Sequence, residues 1–111
     1  MKINQFDICL ADLSPAHGTE PGKTRPVIII QSNLLNDFHS STVICPISSR
    51  IIQDGEPLRL RLKNGQLAKP SDVLVDQMRS IDNRRLIKKI GKLSKEQIFV
   101  LKENIRIVLD L

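Results

Sequence analysis

Two short runs of β-branched residues restrict the fold of this chain more than any other feature of the sequence. One is Val27–Ile30, opened by Pro26, and the other is Thr42–Ile47. Both are short enough for buried strands, and β-branched side chains pack well on a pleated surface. We therefore predict that these two runs form the central strands of a sheet.

Other segments predict the outer parts of that sheet. Extended patterning occurs in four further segments, Phe6–Leu13, Pro57–Lys63, Val73–Arg79 and the run Ile87–Leu93 that Gly91 interrupts. In the second of these, apolar and cationic residues alternate, so we expect one face in the core and a positively charged face in water. Between strands, Asp82–Arg85 predicts a capped short helix, and Ser32–Asp37 predicts one helical turn or an irregular connection.

The C-terminal segment predicts an amphipathic helix. Ser94–Gln97 fits a capping box, in which a serine and a glutamine satisfy free N–H groups at a helix start. Apolar residues then recur at helical spacing, at Ile98, Leu101, Ile105, Val108 and Leu109. Short strands followed by such a helix indicate a mainly β fold, a small and strongly bent antiparallel barrel or sheet with helices packed on it.

Size and charge narrow the class of protein. With 111 residues and no visible repeat or linker, the chain predicts a single domain over residues 1–111. Seventeen Lys and Arg residues against twelve Asp and Glu give a net charge of +5, so a polyanion, nucleic acid, is the expected partner. Only three residues are aromatic, all of them Phe, which excludes base stacking on aromatic side chains as the main way to hold RNA.

The sequence also excludes several kinds of site. Cys9 and Cys45 lie in apolar runs without a neighbouring His or Cys at ligand spacing, so we expect buried thiols with no metal or redox role. The tripeptide Gly22-Lys23-Thr24 lacks the earlier glycine of a phosphate-binding loop and precedes a strand, which excludes nucleoside triphosphate binding there. An N-terminus without an apolar leader, and the lack of an apolar run of membrane-spanning length, predict a cytoplasmic protein without membrane attachment.

Three blocks of sequence span nearly the whole chain in order. They are Asp7–Pro15 followed by Gly18–Ile29, then Cys45–Ser49, and then Asp76–Asp82 with Arg85-Leu86 and Lys89–Leu93. Together they resemble the MazF/PemK/Kid family of toxins from type II toxin-antitoxin modules. The resemblance implies an SH3-like or plasmid-maintenance-toxin barrel that forms a homodimer. It further implies cleavage of single-stranded RNA at short motifs without a metal or other cofactor, and neutralisation by a cognate MazE-like antitoxin.

Two positions depart from the family pattern. Ser48 stands where the family usually has Thr, which keeps the hydroxyl and loses a methyl group. Leu74 lies two residues before Asp76, where one branch of the family has Arg, so the Arg/Asp catalytic pair of that branch is not carried over. The resemblance therefore assigns the main catalytic role to Arg25 and Ser48.

Metal-free cleavage of RNA, as the resemblance implies, uses the 2′-hydroxyl as nucleophile and leaves a 2′,3′-cyclic phosphate and a 5′-hydroxyl. A guanidinium stays charged and can donate two parallel hydrogen bonds, so Arg25 suits stabilisation of the phosphorane, and Ser48 can donate another bond. Proton transfer has three candidates, His17, Glu20 and Asp76. Either carboxylate could instead pair with Arg25 or Arg79 and orient it.

Six residues are predicted to grip phosphates and read bases, namely Lys23, Thr24, Ser49, Arg50, Gln77 and Arg79. Two further cationic sets could extend an RNA track, although a solvated strand face is the favoured interpretation of both. These sets are Arg59, Arg61 and Lys63, and Lys88, Lys89 and Lys92.

Other functions compete with RNA cleavage. A barrel of the same shape could bind nucleic acid or protein without catalysis, or could act as a gyrase-directed toxin of the CcdB type. The presence of both Arg25 and a hydroxyl at Ser48 favours cleavage, because a gyrase poison is expected to act through its C-terminal residues and to need no such pair. A housekeeping structural domain would account for the basic charge and not for the ordered blocks.

Overall fold

The computed structural model describes residues 1–14, 18–19, 23–63 and 66–111. Its elements, in chain order, are β1 (Asp7–Asp12), β2 (Thr24–Ile29), α1 (Asn33–Asn36), β3 (Ser41–Ser48), β4 (Arg59–Leu62), β5 (Ser71–Leu74), a 3-10 turn (Val75–Gln77), β6 (Arg79–Asp82), a second 3-10 turn (Asn83–Arg85), β7 (Leu86–Lys92) and α2 (Lys95–Leu109). The predicted class, mainly β with a C-terminal helix, is confirmed.

The described strands form one sheet in the order β4-β5-β3-β2-β1-β7, and β6 also pairs with β3. Every pairing is antiparallel. The two β-branched runs become β2 and β3, which lie side by side in the middle of the sheet, as predicted. The sequence Gly22-Lys23-Thr24 therefore leads into a strand, which a phosphate-binding loop does not do.

The prediction of one extended run over Val73–Arg79 is wrong. The chain forms β5, makes a three-residue 3-10 turn, and then forms β6. β5 pairs with the end of β3, where Val73 lies opposite Ile47, and an unbroken ladder would then bring Asp76 opposite Ile44. The residue found there is Arg79, because the three residues of the turn are looped out of the ladder. Such bulges redirect side chains, and this one leaves Asp76 exposed.

The core lies on both faces of the central strands. On β2, Ile28 belongs to one buried cluster, whereas Val27 and Ile29 belong to another. The first cluster includes Leu101 of α2, and the second is closed by Ile3 from the N-terminal segment. Burial on both faces explains why β2 reads as a continuous apolar run and not as an alternating one.

The two cysteines are fully buried, one in each cluster, as predicted. Burial raises the pKa of the Cys9 thiol to about 11 and that of the Cys45 thiol to about 12. Both therefore stay protonated near neutral pH and pack as small apolar groups.

The expectation of a solvated cationic face on β4 is wrong for Arg59 and Arg61 and confirmed for Lys63 beyond its end, which is exposed. Arg59 and Arg61 turn toward Asp72 of β5, whose side chain is 1% exposed, and form ion pairs with it. The sheet register explains the contact, since Arg61 lies directly opposite Asp72. The favoured interpretation of Lys88, Lys89 and Lys92 as solvated is confirmed, since all three are exposed, and Lys89 also pairs with the buried Asp7.

Helix α2 begins with the predicted capping box. Ser94 Oγ accepts from the Gln97 N–H at 3.2 Å, and Gln97 Oε1 accepts from the Ser94 N–H at 2.8 Å. The short helical elements were also predicted correctly, since Ser32 caps α1 and Asp82 caps the second 3-10 turn. None of the helices in the described ranges combines the length and the apolar character needed to span a membrane.

We predict that Leu101→Ala lowers the free energy of unfolding by about 2–5 kcal/mol, because it leaves a cavity where α2 meets the sheet. Equilibrium urea unfolding followed by circular dichroism measures the change. Leu111→Ala is the matched control: Leu111 lies beyond the end of α2 and is 82% exposed, so its replacement should stay within about 0.5 kcal/mol. Equal losses in the two variants would contradict the assignment of Leu101 to the core.

Candidate functional site

Arg25 and Ser48 lie on one face of the two central strands. On β2, Arg25 is directly opposite Ala11 of β1, and the β2–β3 ladder has Val27 opposite Pro46. If the Val27–Pro46 register is continued by two residues toward the start of β2 and the end of β3, it reaches Arg25 on β2 and Ser48 on β3. Because side chains two residues apart share a face of a sheet, the guanidinium and the hydroxyl belong to the same face.

Ser48 is held by its own strand end. It is the last residue of β3, it is buried, and its Oγ accepts a hydrogen bond from the Arg50 N–H at 3.1 Å. This bond uses a lone pair of the hydroxyl, so its hydrogen is left to be donated elsewhere. Ser49 and Arg50, which follow, are exposed.

A cavity of about 430 Å³ brings several predicted residues together. Its lining includes Lys23, Thr24 and Arg25 from the start of β2 and Ser49 from beyond the end of β3. It also includes Lys69 and Ser71, which the sequence reasoning missed. The cavity is therefore bordered by cationic and hydroxyl groups, a combination that suits a phosphodiester.

The base of the β1–β2 loop is closed by a small network. The Leu13 N–H donates to Lys23 O at 2.8 Å, and the Lys23 N–H donates to Ser14 Oγ at 3.1 Å. Arg85 reaches across from the second 3-10 turn and donates to Ser14 O at 2.6 Å and to Asp12 O at 3.1 Å. These bonds fix the strand end from which Lys23 and Arg25 project. The two loop candidates for proton transfer, His17 and Glu20, lie outside the described residues.

The looped-out turn places a second group of predicted residues against that loop. Gln77 Nε2 donates to Thr19 Oγ1 at 3.4 Å, and its neighbour Asp76 is exposed. Arg79, opposite Ile44 on β6, has one guanidinium nitrogen, Nη1, that is buried and makes no hydrogen bond within the described part of the chain. Sequence reasoning missed Thr19, which is connected with the predicted residues by its hydrogen bond from Gln77.

The cavity that contains Arg25 is lined neither by Ser48 and Arg50 at the end of β3 nor by the three predicted residues Asp76, Gln77 and Arg79. Asp76, Gln77 and Arg79 lie on the 3-10 turn and on β6, along the edge of β3 that is opposite to β2. Within the described ranges, no group of three or more His, Cys, Asp or Glu side chains is arranged to hold a metal ion.

Comparison with known proteins identifies the family. Residues 4–109 match the family described as PemK-like, MazF-like toxin of type II toxin-antitoxin system. The chain belongs to this toxin family. The predicted resemblance to MazF, PemK and Kid is thereby confirmed over nearly the whole chain.

Solved structures of MazF-like proteins share the fold. The Mycobacterium tuberculosis toxin MazF-mt6 is 24% identical, with a TM-score of 0.79 over 95% of this chain and 97% of that one. MazF from Deinococcus radiodurans is 21% identical, with a TM-score of 0.85 over 100% of this chain and 99% of that one. An endoribonuclease from a mycobacterial species, solved in complex with its cognate antitoxin, is 14% identical, with a TM-score of 0.77 over 99% and 95% of the two chains. At these identities the likeness establishes the MazF-like fold.

We predict that Arg85→Ala loosens the start of the β1–β2 loop in this MazF-like chain. Amide hydrogen exchange at Leu13 and Lys23 should accelerate up to about 30-fold, because the two hydrogen bonds from Arg85 are worth about 1 kcal/mol each. Arg84→Ala removes a neighbouring charge that is 91% exposed and pairs with Asp82, and it should leave both amides unchanged. Unaltered exchange in Arg85→Ala would show that the loop base is held without this side chain.

Proposed function

We propose that this protein is a sequence-specific, metal-independent endoribonuclease toxin that cleaves single-stranded messenger RNA and so arrests translation and growth. The observation that carries the proposal is the placement of Arg25 and Ser48 on one sheet face, with Arg25 also lining a cationic cavity, in a chain of the MazF-like family. Two of the similar structures are described as endoribonucleases.

The proposed reaction is an internal transfer at phosphorus. The 2′-oxygen forms a bond to phosphorus, the bond from phosphorus to the 5′-oxygen breaks, and the products carry a 2′,3′-cyclic phosphate and a 5′-hydroxyl. One proton leaves the 2′-hydroxyl and one is gained by the 5′-oxygen. Between these events the phosphorane bears extra negative charge, which the site must stabilise.

Arg25 and Ser48 are assigned to stabilise the negative charge of the phosphorane. The guanidinium of Arg25 remains protonated throughout and can donate two parallel hydrogen bonds to phosphate oxygens. The Ser48 hydroxyl accepts from the Arg50 N–H, and its own hydrogen would be donated to a third oxygen. Neither group is suited to remove a proton, because guanidinium has no free base form near neutral pH and an unactivated hydroxyl is not a general base.

Proton transfer is assigned to the three predicted side chains, His17, Glu20 and Asp76. Of these, Asp76 lies among the described residues, exposed on the turn beside Gln77. The contact of Gln77 with Thr19 supports a location close to the β1–β2 loop, which carries the other two. A carboxylate there can act on the reacting hydroxyls or orient a neighbouring arginine.

RNA binding is assigned to the cationic and amide groups around the site. Phosphates would contact Lys23, Arg50 and Arg79, with Lys69 added by the cavity, and Ser49 would donate a further hydrogen bond. Gln77 and Thr24 would read base edges, since their side chains both donate and accept.

The proposal includes two protein partners and takes residues 1–111 as one domain. A cognate MazE-like antitoxin would cover the site, by analogy with the MazE–MazF assembly of Deinococcus radiodurans, whose MazF part has this fold. A second copy of the chain would form a homodimer. Large apolar side chains left exposed on the two helices and just beyond their C-terminal ends support such pairing, notably Leu34, Phe38, Phe99, Ile107 and Leu111.

The test is incubation of the purified protein with long single-stranded RNA in EDTA, with mapping of cut positions and product ends. We expect discrete cuts that end in 2′,3′-cyclic phosphate. Arg25→Ala should abolish them, and Ser48→Ala should slow them about 100-fold, because each change removes a donor to the developing charge.

Arg106→Ala supplies a control with the same loss of charge. Arg106 pairs with Glu103 on α2 and lies one helical turn beyond Lys102. The ammonium of Lys102 lies over the ring of Phe6. The Phe6 N–H bonds to Ile29 O, at the opposite end of β2 from Arg25. This variant should cut RNA at the rate of the unaltered protein. RNA left intact across diverse sequences would refute the nuclease and favour a binding protein or a gyrase-directed toxin.

We further predict that a flexible acidic peptide inhibits cleavage, because an acidic, disordered antitoxin segment would wrap the cationic groups that RNA uses. The probe is a synthetic peptide rich in Asp and Glu with interspersed Leu, and the same peptide with Asn and Gln in place of the acids is the control. Inhibition should weaken as salt is raised. Undiminished cleavage in the presence of the acidic peptide would count against an antitoxin site that overlaps the RNA groove.

A further inference from the structure

A buried carboxylate stands next to the proposed nuclease site and belongs to none of the predicted roles. Asp72 on β5 is 1% exposed, and the sheet register places it directly opposite Ser48 on β3 and Arg61 on β4. A charged group buried so deeply requires compensation by ion pairs and hydrogen bonds.

Asp72 accepts three described hydrogen bonds. Its Oδ2 accepts from Arg59 Nη1 at 3.1 Å and from the Ile52 N–H at 3.0 Å, and its Oδ1 accepts from Arg61 Nε at 2.5 Å. Burial alone would raise the pKa of Asp72, but these bonds from Arg61, Ile52 and Arg59 outweigh it and lower that pKa. Asp72 is therefore ionised at neutral pH.

Both guanidinium groups continue from Asp72 to the backbone that follows β3. Arg59 Nη1 also donates to Arg50 O at 3.0 Å, and Arg61 Nη2 donates to Ile52 O at 2.8 Å. Together with the bond from the Ile52 N–H, the network holds the chain at Arg50 and Ile52.

That stretch of chain controls the Ser48 hydroxyl. The N–H of Arg50 donates to Ser48 Oγ, and the carbonyl of the same residue is held by Arg59. A continuous series of hydrogen bonds thus runs from Asp72 through Arg59 and Arg50 to Ser48. A shift of the Arg50 backbone at its carbonyl would pass through the Arg50 Cα to its N–H and so disturb the bond to Ser48 Oγ.

Stability alone is a weak reason for such an arrangement. A buried ion pair is often no more stabilising than apolar residues of the same volume, whereas planar guanidinium groups fix the direction of every bond that they donate. Directional bonds from Arg59 and Arg61 to the Arg50 and Ile52 carbonyls are suited to fixing the backbone conformation of that segment.

We propose that Asp72 is a positioning residue for RNA cleavage, acting through Arg59 and Arg61 on the Arg50–Ile52 backbone to fix the Ser48 hydroxyl. The inference rests on the proposed nuclease function, in which Ser48 donates to the reacting phosphate. Asp72 itself touches neither the RNA nor the reacting atoms.

The central experiment compares Asp72→Asn with Asp7→Asn. Asp7 is also a buried carboxylate, paired with Lys89 at 3.1 Å and bonded to the Asn4 N–H at 2.8 Å, but it lies at the end of β1 away from Ala11 and Arg25. Both variants are assayed on one short RNA substrate at a temperature where circular dichroism shows each to be folded. Asp72→Asn should lower kcat about 10–100-fold with a smaller change in KM, because small displacements of catalytic groups cost that much. Asp7→Asn should keep the kcat of the unaltered protein.

Arg61→Lys is the second variant and does not remove the buried charge. Lysine keeps a cation beside Asp72, but it lacks the planar guanidinium that donates to Asp72 and to Ile52 O at the same time. It should lower kcat and leave the unfolding temperature nearly unchanged. If Asp72→Asn does not fold, this variant decides the question, and an unchanged kcat would overturn the proposal.

Amide hydrogen exchange at Arg50 and Ile52 gives a readout that does not depend on activity. Both amides should exchange faster in Asp72→Asn and stay protected in Asp7→Asn. Unchanged exchange, or faster exchange with full kcat, would overturn the positioning role. If the unaltered protein cuts no RNA, the nuclease proposal fails by itself, and the exchange rates still show whether Asp72 holds the segment after Ser48.

Discussion

The rest of the structure depends on how β3 is shared along its two edges. β2 occupies one edge, while β5 and β6 occupy different parts of the other, and the three-residue turn between β5 and β6 is looped out of the ladder. The last residue of β3, Ser48, therefore has the Arg25 strand on one side and Asp72 on the other. The same looped-out turn carries Gln77 toward Thr19 in the β1–β2 loop. One pairing constraint thus sets both the strand end and the turn from which the proposed site is built.

The elements that the sequence predicts well are those determined by local patterns. The capping box and the 3.6-residue period of α2 depend on side chains within one helix, and the β-branched runs of β2 and β3 depend on burial of each strand. The turn at Val75–Gln77 is different, because Val75 continues the apolar run that begins at Val73 and no Gly or Pro marks a turn there. The pairing of β3 with both β5 and β6 leaves three residues outside the ladder at this point, and that pairing joins segments far apart in sequence.

The candidate site shows the same division. Arg25 and Ser48 were predicted from the resemblance to toxins, and the register gives them a shared sheet face that no single-strand pattern contains. The cationic pattern of β4 predicted solvated arginines, because the carboxylate that attracts them lies on another strand. Lys69 belongs to a segment without periodicity, and the cavity that both residues line brings it beside Arg25. Side chains whose partners lie on other segments are the ones that sequence reasoning misplaces.

The proposed cleavage groups stand on strands, while the proposed RNA-binding groups stand on several kinds of structure. Arg25 and Ser48 belong to β2 and β3, where pairing with β1 and β5 fixes their backbone positions. Thr24 begins β2, one residue before Arg25, and Arg50 follows the end of β3, where its N–H bonds to Ser48 Oγ. Gln77 is different, because it belongs to the looped-out turn and its described side-chain contact is with Thr19. On the proposed function, substitutions at Gln77 would change RNA specificity without passing through the strands that hold the cleavage groups, whereas substitutions at Thr24 would act directly beside Arg25.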